Sequence, residues 1–404
     1  MCRILSLDGG GSWAMLQLLT LREKYKGMRG HQILQDFDLV IANSGGSITL
    51  ACLVENWTPE EALELFRKKS ERERIFSKNS FWESFFPADY TARFLKFGPK
   101  YSSVRKGRAF REIFKIGDQP MDKIPELIGH PNLKIIVCTY DALNNKAKFF
   151  RSYGIFPEYD SVRLTQAIHG SSNAPIQYFD FPARFKAKNT GIWYELWDGA
   201  LGGFNNPVTA GIIEAIKCGY RKEEISVVSI GTSNKYMSLQ EKERYYQVKL
   251  LSVKERKNKY RLWRLKYQLE FFKMSVMNQA KTILYEPPDW ANYVAFMFLF
   301  DQQYHNRDAI DLKRFVRLSP VIHVDKNTPE DCVVLLNSLY KLDMNLTSDH
   351  EIALVEECFE NWKNGLIANQ SIEYTITREN ELISLFGHAT FDSAFQAWTN
   401  RQLS

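Results

Sequence analysis

The chain has 404 residues, a length for two to three domains at about 150 residues each, and its 45% hydrophobic and 25% charged residues supply an ordinary core. That balance excludes a disordered tail protein, a collagen-like repeat and a disulfide-stapled miniprotein. The net charge of +6 is uneven, because residues 235–281 carry 13 Lys/Arg against 4 Glu and the remainder of the chain is net acidic.

Residues 3–7 form a short apolar run that ends in Asp8-Gly9-Gly10-Gly11, and a helical pattern follows through Leu16, Leu19 and Leu21. A second run, 37–42 (FDLVIA), meets Asn43-Ser44-Gly45-Gly46 and then the apolar stretch 48–54. Thr58-Pro59-Glu60-Glu61 opens a helix: Thr58 is the cap, Pro59 fits the first turn and Glu61 completes a capping box. Residues 71–110 interrupt the rhythm with Phe76, Phe81, Trp82, Phe85, Phe86, Tyr90, Phe94 and Phe97 among Lys and Arg. They are either a cap over an apolar site or an ordinary helical insertion. Strands are expected at 133–138, 147–152, 193–197 and 225–230, with helices near 162–169 and 208–218. Buried apolar strands alternating with helices indicate an α/β fold, a mainly parallel central sheet covered on both faces. After Gly231 the rhythm stops. The division is therefore 1–235, and a mostly helical or mixed region 236–404 that packs on it and closes with helical patterns near 352–362 and 391–398.

Six cysteines stand singly, with no CxxC and no His at metal spacing, and read as buried thiols of a reducing compartment. No basic segment followed by an apolar run opens the chain. The longest dense apolar run, 293–300, is far below the ~18 residues that span a bilayer. A cytoplasmic protein is expected, touching membranes from outside if at all.

Three segments carry chemistry. A strand, then Asn43-Ser44-Gly45-Gly46, then a helix is the setting of a nucleophile elbow, although Ala42 stands where GxSxG has its first glycine. Taken alone, Ser44 reads equally as a helix N-cap. Asp8-Gly9-Gly10-Gly11 follows a strand and opens a helix, so consecutive amides can line one concave anion site, for a phosphate or for the oxyanion of acyl transfer. Ser12-Trp13-Ala14 follows in place of a dinucleotide or P-loop signature, which favours the oxyanion. Asp198, in Trp197-Asp198-Gly199-Ala200 at a strand end, either faces a site at the sheet's edge or bonds local amides.

Together these segments resemble the patatin-like phospholipase family. LSLDGGG (5–11) is similar to its oxyanion motif, IANSGG (41–46) to its nucleophile elbow and WDGA (197–200) to its Asp-Gly-Gly/Ala motif. SSNAPIQYF (171–179), FNNPV (204–208) and ISVVSIGTS (225–233) match further landmarks in order, and LKRFVRLSP (312–320) resembles a later strand. The resemblance implies a three-layer α/β/α fold and a Ser44–Asp198 dyad without an obligatory histidine, metal or organic cofactor. It assigns the oxyanion to the amides of Gly9, Gly10 and Gly11, and local support to Asn43, Gly45, Gly46 and Gly199. The implied substrate is a phospholipid or related lipid ester, cleaved through an acyl-serine. The same intermediate would serve an acyltransferase, and Ala42 and Trp13, the latter an expected apolar wall in place of the family's cation, suggest a silent lipid-binding relative. His169 is expected to pack and not to react.

In the basic segment, Leu262, Leu265, Leu269, Phe272 and Val276 form one apolar helical stripe flanked by Arg261, Arg264, Lys266 and Lys273. It fits a helix packed on the core, or an interfacial helix in peripheral contact with an anionic membrane surface through residues 235–281. No recognition module for nucleic acid accompanies the charge, and the oligomeric state is not legible.

Overall fold

The computed structural model describes residues 1–77, 99–154, 162–175, 178–236, 242–244, 246–247, 249–250, 287–300 and 310–401. Its strands are β1 (Cys2–Leu7), β2 (Leu39–Asn43), β3 (Lys134–Asp141), β4 (Lys146–Arg151), β5 (Ala183–Lys186), β6 (Trp193–Asp198), β7 (Ile225–Ile230), β8 (Asn234–Lys235), β9 (Phe315–Leu318), β10 (Val321–Ile322), β11 (Glu373–Ile376) and β12 (Leu382–Phe386). The main sheet runs β5-β6-β3-β2-β1-β7-β9, with β4 also on β3. The pairs β3–β2, β2–β1, β1–β7 and β7–β9 are parallel. The β3–β4, β3–β6 and β5–β6 pairs are antiparallel. The sheet is mixed and mostly parallel, as the α/β reading expects.

Successive side chains of a strand face opposite sides, and here both sides are apolar. Leu5, Leu7, Val40, Ala42, Val137 and Val228 enter one core with Leu16, Leu50, Leu63, Leu336, Trp362 and Trp398 from helices. Ile4, Leu39, Ile41, Ile136 and Val227 face the other way, onto Val208, Ile212, Phe296 and Phe300. Helix thus covers sheet on both faces. The run 293–300 lies in helix Pro287–Phe300, and among the described residues no helix is long and apolar enough to cross a membrane.

Chain position 235 is not a gap in this core. β9 hydrogen-bonds to β7 as an edge of the same sheet, and helices Glu330–Lys341, Asp349–Lys363 and Phe391–Arg401 bury Leu336, Trp362 and Trp398 with the helices of the first region. Of the aromatic insertion, residues 78–98 lie outside the described residues. So does the apolar stripe at Leu262 to Val276. All six cysteines are free thiols, five of them buried.

Candidate active site

β2 ends at Asn43, and helix Ser44–Val54 begins at once. Ser44 has φ +48°, left-handed backbone that residues other than glycine rarely adopt. Its amide donates to Ser171 Oγ at 2.8 Å, which holds the turn. The glycines that follow are required by close approach. A Cβ on Gly45 would lie 2.3 Å from the Gly11 carbonyl oxygen, and one on Gly46 2.5 Å from the Leu7 carbonyl oxygen. Ala42 needs no such freedom: it is a buried residue of β2 in register with Leu7 and Val137, and its methyl packs in the core.

Asp198 closes β6, and its carboxylate is buried beside Ser44. Oδ1 accepts from the Ala200 amide at 2.9 Å and from Asn43 Nδ2 at 3.1 Å, and the Ser44 side chain is a further hydrogen-bonding neighbour. Burial pushes the Asp198 carboxyl above the usual range, while the bonds from Ser44, Ala200 and Asn43 pull it back down. Asp198 therefore bonds a local amide and faces the serine; the two readings of this residue are not exclusive. Asn43 sits at the centre of the arrangement. A Cβ on Gly199 would lie 2.3 Å from Asn43 Oδ1, and one on Gly9 2.8 Å from Nδ2, so the neighbouring glycines leave room for the amide that holds Asp198.

The glycine loop lies above the elbow. Gly10 and Gly11 both have positive φ, and a Cβ on Gly10 would lie 2.1 Å from Thr232 Oγ1. Thr232 Oγ1 in turn donates to the Gly9 carbonyl at 2.6 Å. The Gly9 amide donates to the Asn205 carbonyl at 2.7 Å, so it is not open to an oxyanion; among the described residues the Gly10 and Gly11 amides have no hydrogen-bond acceptor. Asp8, just before the loop, has its carboxylate 2.6 Å from the buried Arg317 guanidinium of β9. Burial raises the Asp8 carboxyl to about 6 against the downward pull of Arg317.

Ser44 opens into a small pocket with apolar walls from Ile48, Ile75, Phe76, Phe179 and Met344, and with Lys106 and Asn345 as polar groups. A larger cleft of about 660 Å³, lined by Phe149, Phe204, Ile213 and Trp290, does not include Ser44. Phe76 and Tyr101, at the two described ends of the aromatic insertion, have ring centroids 5.4 Å apart, and both pack on Phe179. The residues flanking the insertion thus help to enclose the serine.

A family model described as patatin-like phospholipase matches residues 5–212, just over half of the chain. The chain belongs to the patatin-like phospholipase family. Among solved structures it is similar to VipD from Legionella pneumophila, at 11% identity and a TM-score of 0.36, with 88% of this chain and 67% of that one covered. It is also similar to full-length ExoU of Pseudomonas aeruginosa, solved with full-length SpcU, at 11% identity and a TM-score of 0.24, covering 89% and 88% of the two chains. No curated protein sequence matches.

Several residues that shape this patatin-like site lie beyond the matched segment and escape sequence reading. The 343–345 turn is one case. Met344 and Asn345 line the pocket, the Met344 carbonyl accepts from the Ser12 amide at 2.8 Å, and Asp343 bonds Tyr178 and Lys100. Trp13 is not a wall of the pocket. Its indole Nε1 donates to the Asp343 carbonyl at 3.0 Å and Lys235 Nζ lies 4.2 Å from its ring centroid, so it anchors the turn instead. His169 is half-buried with its Nε2 3.0 Å from Ser103 Oγ, and loss of solvent holds its ring well below the usual imidazole range. Lys106 left one signal. It shares the buried helical face of Ser103, Gly107 and Phe110 and is the one charged residue on it. Among the described residues no group of three His, Cys, Asp or Glu is arranged to hold a metal ion.

Proposed function

We propose that the protein is a lipid acyl hydrolase of the phospholipase A or lysophospholipase type, cleaving carboxylic esters of membrane lipids through an acyl-Ser44 intermediate. In this reading Ser44 Oγ attacks the ester carbonyl while Asp198 takes its proton. The developing oxyanion is held by the amides of Gly10 and Gly11, not Gly9, and one such donor is worth about 3–4 kcal/mol in comparable hydrolases. Collapse expels the alcohol or lysolipid, which receives the proton from Asp198. Water, activated by the same carboxylate, then releases the fatty acid and restores the serine. Asn43 and the Ala200 amide orient Asp198, and Gly45 and Gly46 let the elbow close. The local charge of +9 over residues 235–281 would favour approach to an anionic lipid surface.

The observation that carries the reading is Ser44 at φ +48°, paired with a buried carboxylate and close to glycine amides that have no acceptor among the described residues. A panel of phospholipids and lysophospholipids, with products identified by mass spectrometry, tests it. Wild type should release fatty acid, and Ser44→Ala should lower the rate by about 10⁴-fold or more. Hydrolysis by folded Ser44→Ala at a near-normal rate would refute it.

A further inference from the structure

Lys106 lies in the wall of the Ser44 pocket, on helix Ser103–Ile113, and is buried. An amine with three N–H donors rarely sits in so apolar a place unless it is paired. Here Nζ donates to the Ser172 carbonyl at 2.8 Å and lies 3.6 Å from the centroid of the Phe179 ring. The Phe179 ring face and the Ser172 oxygen both favour the ammonium form. These contacts hold a cation in the wall of the pocket that Ser44 also lines, with Asp198 and Asp180 as the carboxylates that act on it.

We propose that Lys106 is the counter-charge of the Ser44–Asp198 pair, a positioning residue whose buried ammonium keeps Asp198 an anion ready to take the serine proton. The proposal rests on the reading of Ser44 and Asp198 as the reacting pair. The groups facing Lys106 are Asp198 from the end of β6, Asp180 after Phe179, and His169 from helix Leu164–Ser171. Burial lowers Lys106 well below the ordinary lysine value, Asp198 and Asp180 favour its charge against that, and His169 is itself held neutral by burial and by Lys106, with Arg111 adding to that effect. Toward Asp198 the sign is reciprocal. Burial raises the carboxyl, the hydrogen bonds from Ser44, Ala200 and Asn43 lower it, and the Lys106 charge lowers it further. Activity needs Asp198 ionised, and the Lys106 charge sets how far the pH can fall before that ionisation is lost.

The test is the pH profile of kcat/KM for a soluble short-chain p-nitrophenyl ester, measured on the full chain. Lys106→Met should move the acid limb to higher pH and lower kcat on that limb about tenfold or more, with KM within about twofold. Lys106→Arg, which keeps a cation at every pH of the assay, should keep the wild-type acid limb. An unmoved acid limb in folded Lys106→Met, or a limb moved as far in folded Lys106→Arg, overturns the proposal. Labelling of wild-type Ser44 by a fluorophosphonate separates the two claims. Labelling with unmoved profiles sinks the role of Lys106 alone, whereas absence of both labelling and hydrolysis sinks the reading of the site as well.

Discussion

Ser44 holds a backbone conformation that costs about 1–3 kcal/mol for a residue other than glycine, and the hydroxyl it lifts from the sheet meets Asp198. The Ala200 amide holds that carboxylate from its own turn, and the bond across to β2 comes from Asn43. Asn43 supplies the constraint, donating to Asp198 Oδ1 while its own oxygen lies 3.4 Å from Ser171 Oγ. A hydrogen bond to a charged group is worth about 1.5–3 kcal/mol, so Asn43→Ala should lower kcat by about 10- to 100-fold, with KM little changed. Steady-state kinetics of the folded variant checks this; a change in KM alone would place Asn43 in substrate binding instead. As candidates, Ser44, Asp198 and the glycines were legible in the sequence because each sits in a motif with a mechanical reason for its residue types. The neighbouring Gly9 amide was not, because its acceptor, the Asn205 carbonyl, comes from a loop nearly 200 positions away. Lys106 was hidden for a different reason. Charged residues on helices ordinarily face water, and its place on one helical face with Ser103, Gly107 and Phe110 is a faint sign beside that rule.

At the scale of elements, local chemistry was read most accurately where it was self-contained. The capping box of helix Pro59–Arg67 forms as expected, with the Glu61 amide donating to Thr58 Oγ1 at 3.1 Å and the Thr58 amide to Glu61 at 2.8 Å. Thr58→Ala should therefore cost about 1 kcal/mol of stability, seen as a lower midpoint in urea, with lipid hydrolysis unchanged. The strand at 225–230 was also placed correctly, since an apolar run bounded by turn residues is a local signal. Strand direction was less legible. β4 and β6 run antiparallel to β3, and alternation of apolar residues carries no sign of orientation. β9 is the extreme case. Four residues form an edge beside β7 after about 80 intervening positions; the family resemblance marks 312–320 as a later strand, but its place beside β7 comes from the pairing.

Over the whole molecule, the C-terminal region finishes a site that the first half begins. Arg317 of β9 reaches Asp8 at 2.6 Å, Ser229 Oγ at 2.8 Å and Gln370 Oε1 at 2.8 Å, so one guanidinium joins the glycine loop to two distant segments. Removing one partner of a buried ion pair costs about 3–5 kcal/mol. Arg317→Met should lower the urea stability by that amount, and adding Asp8→Asn should return part of it; a change below about 1 kcal/mol would show that the pair does not hold the loop. The 343–345 turn makes the second link, binding Ser12 and Trp13 on one side and Tyr178 and Lys100 on the other. Both links are non-local, which is why the boundary read near residue 235 follows the strand–helix rhythm and not the core. The reaction itself is tested most directly by treating the full chain with a fluorophosphonate and mapping the adduct by peptide mass spectrometry. The account predicts one phosphonyl group per chain, on Ser44, and none on Asp198→Asn at matched times. A folded wild-type protein left unmodified, or modified at another residue with Ser44 intact, would contradict it.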